Sequence, residues 1–443
     1  MKVLHPIIFM LVGSVLGMSS AQAVDRNHLD LSTLFALAVE HNPSLSKAAA
    51  DQSAALSALH NTEGLQKPEV RFKSELSYAW MSKAEFPRTA NQLVATYPLY
   101  QPQLDDLNQK SQFAYQGKRL DHVAETQNVF LNISQLYFTL WQQQENYRFL
   151  EKEQRSIESI ITQVKQRFQV GYQDLNDIAE IQSRLDFNRA EMLRAKQDIR
   201  QTQANLMAAL GGVRQPEERL DTVTFPLKRP LEVAKIEQMV RQAKEDKNDQ
   251  AWSNLVESNP KVLALQQQWL ASQKQVSYEK NKDTFQLEAF GAYVYNESDN
   301  HFYDDMQGAR GGIQLNVPLY LGGRTDASVA MQRNQAQKVQ AAKRELSLSL
   351  QAKAENAWLA LKAGTSRLNA LKAALASSKQ AVEANEQALK TGRRNILDLL
   401  DAQRQLHKIE RDIPVLKASI WQNVYAFYWA IGNLNQETPD QLK

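Results

Sequence analysis

The sequence predicts a mixed, mostly α-helical fold, in which long coiled-coil-like helices are combined with four membrane-length antiparallel strands. Glycine and proline are scarce, at 16 and 13 of 443 residues, which is typical of long helices. The chain also repeats itself, because "GYQDLNDIAEIQSRL" (171–185) matches "GRRNILDLLDAQRQL" (392–406). In each half, apolar residues first recur with helical spacing, then alternate strictly with polar residues, and then recur with helical spacing again. These three observations favour a duplicated, elongated molecule over a compact α/β enzyme.

The N-terminus has the pattern of a secretory signal peptide, residues 1–23. Lys2 precedes the apolar segment "IIFMLVGSVLGM" (7–18), which is too short to cross a bilayer, and "AQA" (21–23) fits the cleavage rule. We therefore expect the mature chain to start near Val24. The absence of cysteine excludes disulfides, thiolate metal sites and the lipid-carrying cysteine of a lipoprotein. A formal net charge of +3 gives no strong attraction to nucleic acid, so no nucleic-acid partner is expected.

Two further pairs of segments extend the duplication. "HNPSLS" (41–46) parallels "SNPKVL" (258–263), and "YPLY" (97–100) parallels "VPLY" (317–320). All pairs lie about 220 residues apart, far too long a period for a small solenoid repeat. The predicted organisation is listed here in chain order: signal peptide 1–23, first repeat 24–211, charged linker forming an equatorial belt 212–257, second repeat 258–432 and C-terminal tail 433–443.

Four segments alternate with the period of a strand. In "EVRFKSELSY" (69–78), Val70 and Phe72 lie on one face and Arg71 and Lys73 on the other. The predicted strands are Glu69–Tyr78, Gln92–Tyr100, Phe285–Tyr295 and Gly312–Tyr320, joined in pairs by polar loops at 79–91 and 296–310. About ten residues is the length that a tilted strand needs to cross a membrane.

The remaining segments have helical spacing. A helix follows Asn42-Pro43, since asparagine caps helices and proline suits their first turn. After each strand pair, helical spacing continues for roughly 65 residues, which makes a helix about 100 Å long. Each long helix then turns and returns, over Asp174–Leu210 or Asn395–Ile431. Such narrow apolar stripes indicate coiled-coil-like packing against neighbouring helices.

Four amphipathic strands cannot form a stable membrane sheet alone, because open edges in lipid leave backbone groups unpaired. Other copies of the chain must close these edges. Three copies would supply twelve strands, although the sequence alone leaves two or four copies open. The expected assembly is a hollow cylinder with a membrane barrel at one end and a helical tunnel at the other.

Several segments resemble one known family over essentially the whole mature chain. They are "AVEHNPSL", "YPLY", "VPLYLGGR", "FQVG", "TGRRNILDLLDAQRQL" and "FYWAIGNL", and in this order they resemble the TolC-like outer-membrane efflux proteins. The resemblance implies a homotrimer in the Gram-negative outer membrane, with a lipid-embedded twelve-stranded barrel and a long periplasmic tunnel. It also implies docking to a periplasmic adaptor (membrane fusion) protein and to an inner-membrane pump or ABC transporter. The implied function is passive export of drugs, small toxic compounds or secreted proteins, as in type I secretion.

Asp398 and Asp401 are the candidate site. They lie three residues apart, hence on one helix face, at the turn farthest from the strands. Three chains would stack them into two carboxylate rings, which select cations. The resemblance implies that this acid-x-x-acid element is the periplasmic gate. The alternative is a solvated helix face near an N-terminus, favoured by the helix dipole.

The resemblance also implies a latch that holds the gate closed. Arg394 would bind Asp177 and Asn176 on the neighbouring coil. Leu389 stands where the family pattern has an aromatic residue that helps this latch, so this chain departs from the pattern there. Exposed ion pairs of this kind often contribute little to stability.

No pattern of catalytic or metal-binding residues is present in the sequence. The seven histidines are scattered without ligand spacing, and no nucleophile–base set is apparent. We therefore expect no enzyme activity, no metal and no cofactor. Two alternatives remain at this point, a periplasmic adaptor and a coiled-coil scaffold protein.

Overall fold

The computed structural model describes residues 30–81, 84–169, 175–212, 236–241, 251–298 and 306–441. The first half contains α1 (Leu31–His41), α2 (Pro43–Gly64), β1 (Glu69–Met81), β2 (Ala84–Tyr100), α3 (Pro102–Gln169) and α4 (Leu175–Ala209). The second contains α5 (Ala251–Val256), α6 (Pro260–Asn281), β3 (Gln286–Ser298), β4 (Met306–Asn316), α7 (Arg324–Lys390), α8 (Ile396–Ala430) and α9 (Thr438–Gln441). The predicted signal peptide and most of segment 212–257 lie outside the described residues.

The two halves contain corresponding elements of nearly equal length. Helices α2 and α6 have 22 residues each, and α4 and α8 have 35 each. The long helices α3 and α7 have 68 and 67 residues, so each measures about 100 Å at the usual rise per residue. The predicted long helices and their returning partners are thereby confirmed.

The helices lie side by side in one layer. Helices α2 and α4 pack along α3, while α6 and α8 pack along both α3 and α7. The end of α4 meets the start of α2, and the end of α8 meets the start of α6, so each pair forms one composite rod. The order across the layer is α4/α2, α3, α8/α6, α7. Among the described long helices, each outer rod therefore has a packed neighbour on one side.

One asparagine at each composite joint bonds to both helices. Asn42 Oδ1 accepts from the Ser44 amide at 2.8 Å, and its Nδ2 donates to the Ala209 carbonyl at 2.6 Å. Asn259 likewise accepts from the Lys261 amide at 2.9 Å and donates to carbonyls at the end of α8. The side chain thus caps one helix and satisfies the free carbonyls of another. This explains why Asn-Pro occurs in both halves.

The strands form one antiparallel sheet in the order β1-β2-β3-β4. The predicted loop at 79–91 is wrong in extent, because the hairpin pairs residue by residue up to Met81 and Ala84. Its polar side chains do not end the strands, since backbone pairing continues beneath them. The predicted last strand is displaced toward the C-terminus, because β4 begins at Met306 rather than Gly312 and ends at Asn316 rather than Tyr320. Pro318, two residues on, has no amide hydrogen to continue the ladder.

The first strand separates apolar from charged side chains as its alternation predicts. Phe72, Leu76 and Trp80 project from one face and are 67%, 80% and 73% exposed. On the other face Arg71 Nε lies 2.8 Å from a Glu69 carboxylate oxygen, and a Lys73–Glu75 pair follows. The sheet therefore has one apolar, aromatic face that is uncovered within the single chain.

Two apolar clusters hold the helix layer together. The larger lies near the middle of α3, where Phe35 stacks on Phe130 at 4.2 Å between ring centroids. The smaller lies toward the end of α3 remote from the sheet and includes Val164, Ile181 and Leu400. In the parts of the chain that are described, none of the helices combines the length and apolarity of a membrane-spanning helix.

Candidate functional site

The candidate acidic pair lies at the tip of the molecule. The turn at 391–395 joins α7 to α8 at the end of α7 opposite the strands. Gly392 adopts φ 70° there, which ends α7 in a left-handed conformation. The smaller apolar cluster packs directly behind this turn, with Leu389 and Ile396 buried on either side of it. Packing against this cluster holds the first turn of α8 in position.

Asp398 belongs to the cap of α8. The Asn395 side chain accepts from the Asp398 amide at 2.8 Å, while Asp398 Oδ2 accepts from the Asn395 amide at 3.2 Å. This reciprocal pair is a capping box, and a carboxylate here also suits the helix dipole. Arg394 Nη1 lies 3.7 Å from Asp398 Oδ1. Asp398 thus has a local structural role at the helix N-terminus, as the alternative anticipates, and its role in a gate stays a prediction.

Asp401 is bound from another helix. It is 65% exposed, and its Oδ1 accepts a hydrogen bond from Arg184 Nη1 of α4 at 3.1 Å. The same guanidinium donates through Nη2 to Glu180 at 2.7 Å. Glu180 stands in the first repeat where Asp401 stands in the second. One arginine therefore bridges the two repeat-equivalent acids.

Arg184 is held firmly as a cation. Its side chain is 25% exposed. Partial burial lowers the pKa of the guanidinium, but the hydrogen bonds and charges of Glu180 and Asp401 outweigh burial and raise that pKa above its usual value. Arg184 is not among the site residues predicted from the sequence. Its only sequence signal is the spacing of four between Glu180 and Arg184, which puts the pair on one helix face.

The structure describes only some of the residues of the predicted latch. The ion pair that the structure records for Arg394 is with Asp398 on its own chain segment. Asn176 lies exposed on α4. The side chain of Asp177 lies outside the described part of the chain. The latch formed by Arg394, Asp177 and Asn176 therefore stays a prediction.

A groove of about 1000 Å³ opens between α3, α4 and α8, with Arg184 and Asp401 in its wall. Its α8 side carries Arg404, Lys408 and Arg411. Leu150, Ile157, Phe187 and Leu400 also line the groove, so its wall combines charged and apolar side chains. A Ser156 hydroxyl in the same wall donates to Gln403 of α8 at 2.9 Å.

A cluster of ionisable groups near the groove sets the position of α8 on α3. Lys152 Nζ lies 3.0 Å from both carboxylate oxygens of Glu410, and Glu410 Oε2 lies 3.3 Å from His407 Nδ1. Glu410 and His407 are both about nine-tenths buried. Among the described residues, no group of three or more histidine, aspartate or glutamate side chains is placed to hold a metal ion.

A duplicated layer of 100 Å helices, with a strand sheet at one end and an acidic turn at the other, defines a class of elongated export channels. Outer membrane protein VceC from Vibrio cholerae has this fold, with a TM-score of 0.78 at 16% identity, over 91% of this chain and 96% of that one. Outer membrane protein TolC of Vibrio cholerae is 25% identical over 455 residues, covering 99% of this chain and 97% of the relative. The proteases secretion protein PrtF of Dickeya chrysanthemi is 22% identical over 258 residues, 55% of this chain and 56% of the relative.

The sequence model of the outer membrane efflux protein family matches residues 34–212 and 251–433 of this chain. The chain belongs to this family. It is a protein of the Gram-negative outer membrane and an exit channel. The resemblance found in the sequence is confirmed, and the adaptor and scaffold hypotheses are set aside.

Proposed function

We propose that three copies of this chain form the outer-membrane exit duct of a tripartite export system. The observation that carries the proposal is the unpaired edge that the described sheet has on each of its two sides. Strands β1 and β4 are the outer strands of the sheet, so each has one free edge. An open edge is not tolerated in lipid, and identical copies can close it. Three copies give a twelve-stranded β-barrel, an even number within the range of bacterial outer-membrane barrels.

The two faces of β1 suit such a barrel. The exposed side chains of Phe72, Leu76 and Trp80 form an apolar face that would contact outer-membrane lipid. The ion-paired face with Arg71 and Glu69 would line a water-filled lumen. Below the barrel, the helix layers of three copies would join into an α-helical tunnel. The linker 212–257 and the tail 433–443 would form a belt around the middle of this tunnel.

A passive duct depends on other proteins for energy and for loading. We infer that a periplasmic adaptor protein docks at the helical tip and connects the duct to an inner-membrane pump or ABC transporter. The cargo class is small toxic compounds, drugs or secreted proteins. The name of PrtF assigns protease secretion to that relative, which favours keeping secreted proteins among the candidates.

Asp398 and Asp401 are proposed as the cation-selective gate of the duct. In a trimer, the first turns of three α8 helices would converge at the tip and place these carboxylates around the pore. Rings of carboxylates attract cations and are blocked by polyvalent ones. Arg394, Asp177 and Asn176 are proposed as the latch that keeps the turn in its closed position.

Native mass tests the assembly first. The protein is extracted from outer membranes in mild detergent, and its mass is measured with correction for bound detergent. We expect the mass of three chains. A monomer, or absence from the outer-membrane fraction, would leave the strand edges unclosed and would contradict the duct.

Single-channel recording in planar bilayers tests the gate. We expect Asp398→Asn with Asp401→Asn to weaken block by Mg²⁺ by about tenfold, because each ring loses its charge. Asparagine preserves the cap of α8, unlike alanine. The matched control is Glu383→Gln with Glu386→Gln, an exposed acidic pair of the same spacing on α7, and its block should equal that of the wild type. Unchanged block in the aspartate variant would remove the gate assignment.

A further inference from the structure

The two repeats differ at one charged position near the acidic pair. Glu180 and Asp401 are equivalent, yet the residue four positions further on is Arg184 in the first repeat and Gln405 in the second. Only the first repeat therefore carries a cation at this position. In the folded chain that cation bonds to both acids, with distances of 2.7 Å to Glu180 and 3.1 Å to Asp401.

The bond from Arg184 links two helices that do not share a repeat. Helices α4 and α8 each pack on α3, so the contact between Arg184 and Asp401 passes across the side of α3. The planar guanidinium presents several donors in a fixed fork, which allows it to hold two carboxylates at once. A solvated arginine on a helix face does not normally make two such bonds.

The local charge balance shows what this contact does. Three acids are considered around this contact, Asp398, Asp401 and Glu180, and Arg184 holds two of them. The third, Asp398, has Arg394 nearby at 3.7 Å. The net charge of this group is one negative charge per chain with Arg184 present and two without it. In a trimer, loss of Arg184 would remove three positive charges from the constriction.

We propose that Arg184 is a positioning residue that limits the affinity of the acidic tip for polyvalent cations. It occupies Asp401 and Glu180 from within the chain, so these oxygens are engaged before a metal cation arrives. A cation must compete with a fixed guanidinium, and it meets a weaker field than the carboxylates alone would produce. The duct thereby stays conductive when divalent cations are present. This inference rests on the proposed gate. It adds a residue that weakens the binding of polyvalent cations to that gate.

The test is the block of single channels by Mg²⁺ and by La³⁺ in Arg184→Gln. We expect the half-blocking concentration to fall by roughly threefold to tenfold, because three guanidinium charges leave the constriction. The direction of this change is opposite to that expected for the aspartate variant. A purely structural role for Arg184 would loosen the tip and would not strengthen block.

Two further variants make the test specific. Arg184→Lys keeps the positive charge but not the fork, so its half-blocking concentration should lie between those of the wild type and Arg184→Gln. Arg189→Gln is the matched control. It removes an arginine five residues along α4 that is 52% exposed and pairs more loosely, at 3.7 Å with Glu158 and 3.6 Å with Asp186. Its block should be unchanged.

The outcomes separate this inference from the proposed function. Equal or weaker block in Arg184→Gln, while the aspartate variant still relieves block, overturns the role of Arg184 and leaves the gate standing. Equally strengthened block in Arg189→Gln would show that any lost cation on α4 has this effect, which also overturns it. A wild-type channel that polyvalent cations do not block at all contradicts the gate itself.

Discussion

At the scale of single residues, two glycines end the helices of the second hairpin in the same conformation but in different surroundings. Gly392 has φ 70° and open space where a Cβ would stand. Gly432 has φ 78°, and a Cβ there would lie 2.6 Å from Asn259 Cα and 2.8 Å from Pro260 Cδ. Alanine at either position adopts a left-handed conformation, at a cost of about 1–2 kcal/mol. Only at Gly432 must the backbone also move.

We therefore expect Gly432→Ala to be destabilised by about 3 kcal/mol or more, and Gly392→Ala by conformational strain alone. The measurement is the thermal unfolding midpoint in detergent, followed by circular dichroism at 222 nm. Equal shifts in the two variants would show that the close approach of Gly432 to Asn259 and Pro260 does not affect the stability of the variant.

At the scale of elements, the composite rods depend on their joining asparagines. Asn259→Ala removes the cap of α6 and leaves the carbonyls of Trp429 and Ala430 without this donor. We expect a loss of about 1–3 kcal/mol, from the cap and from the unpaired carbonyls together. Asn259→Ser is the control, because serine retains a capping oxygen but lacks the amide donor. If Asn259→Ser melts at the wild-type temperature, the bond to α8 contributes nothing beyond the cap.

How far the sequence predicts these elements depends on the physical signal that each one leaves. Long helices were predicted to within a few residues, because a sustained apolar stripe has a clear period. The strand end near Met81 was misplaced because backbone pairing continues through polar side chains. The end at Asn316 leaves no such signal, since Pro318 lies beyond β4 whereas its equivalent Pro98 lies within β2. The spacing of Asp398 and Asp401 gives their shared face. Arg184 was missed because it is 217 residues from Asp401, and only the packing of α4 and α8 on α3 brings the two together.

At the scale of the whole molecule, both edges of the helix layer carry apolar side chains that the described part of the chain leaves exposed. Leu193 of the outer rod α4 is 72% exposed. The other outer rod, α7, exposes Leu348 and Leu359. Exposed leucines on both free edges are consistent with edges that meet in a ring of identical copies.

Leu193→Asp should therefore weaken assembly, because it places a charge in the contact proposed between copies, where it would lose water without gaining a partner. We expect the trimer fraction in mild detergent, measured by native mass, to fall severalfold while the helical circular dichroism signal of the chain is kept. The control is Val415→Asp on α8, which is 41% exposed but belongs to a rod with packed neighbours on both sides. That variant should remain trimeric. If Leu193→Asp assembles as well as Val415→Asp does, the α4 edge is not the contact between copies, and closure of the tunnel would have to be sought on another face of the layer.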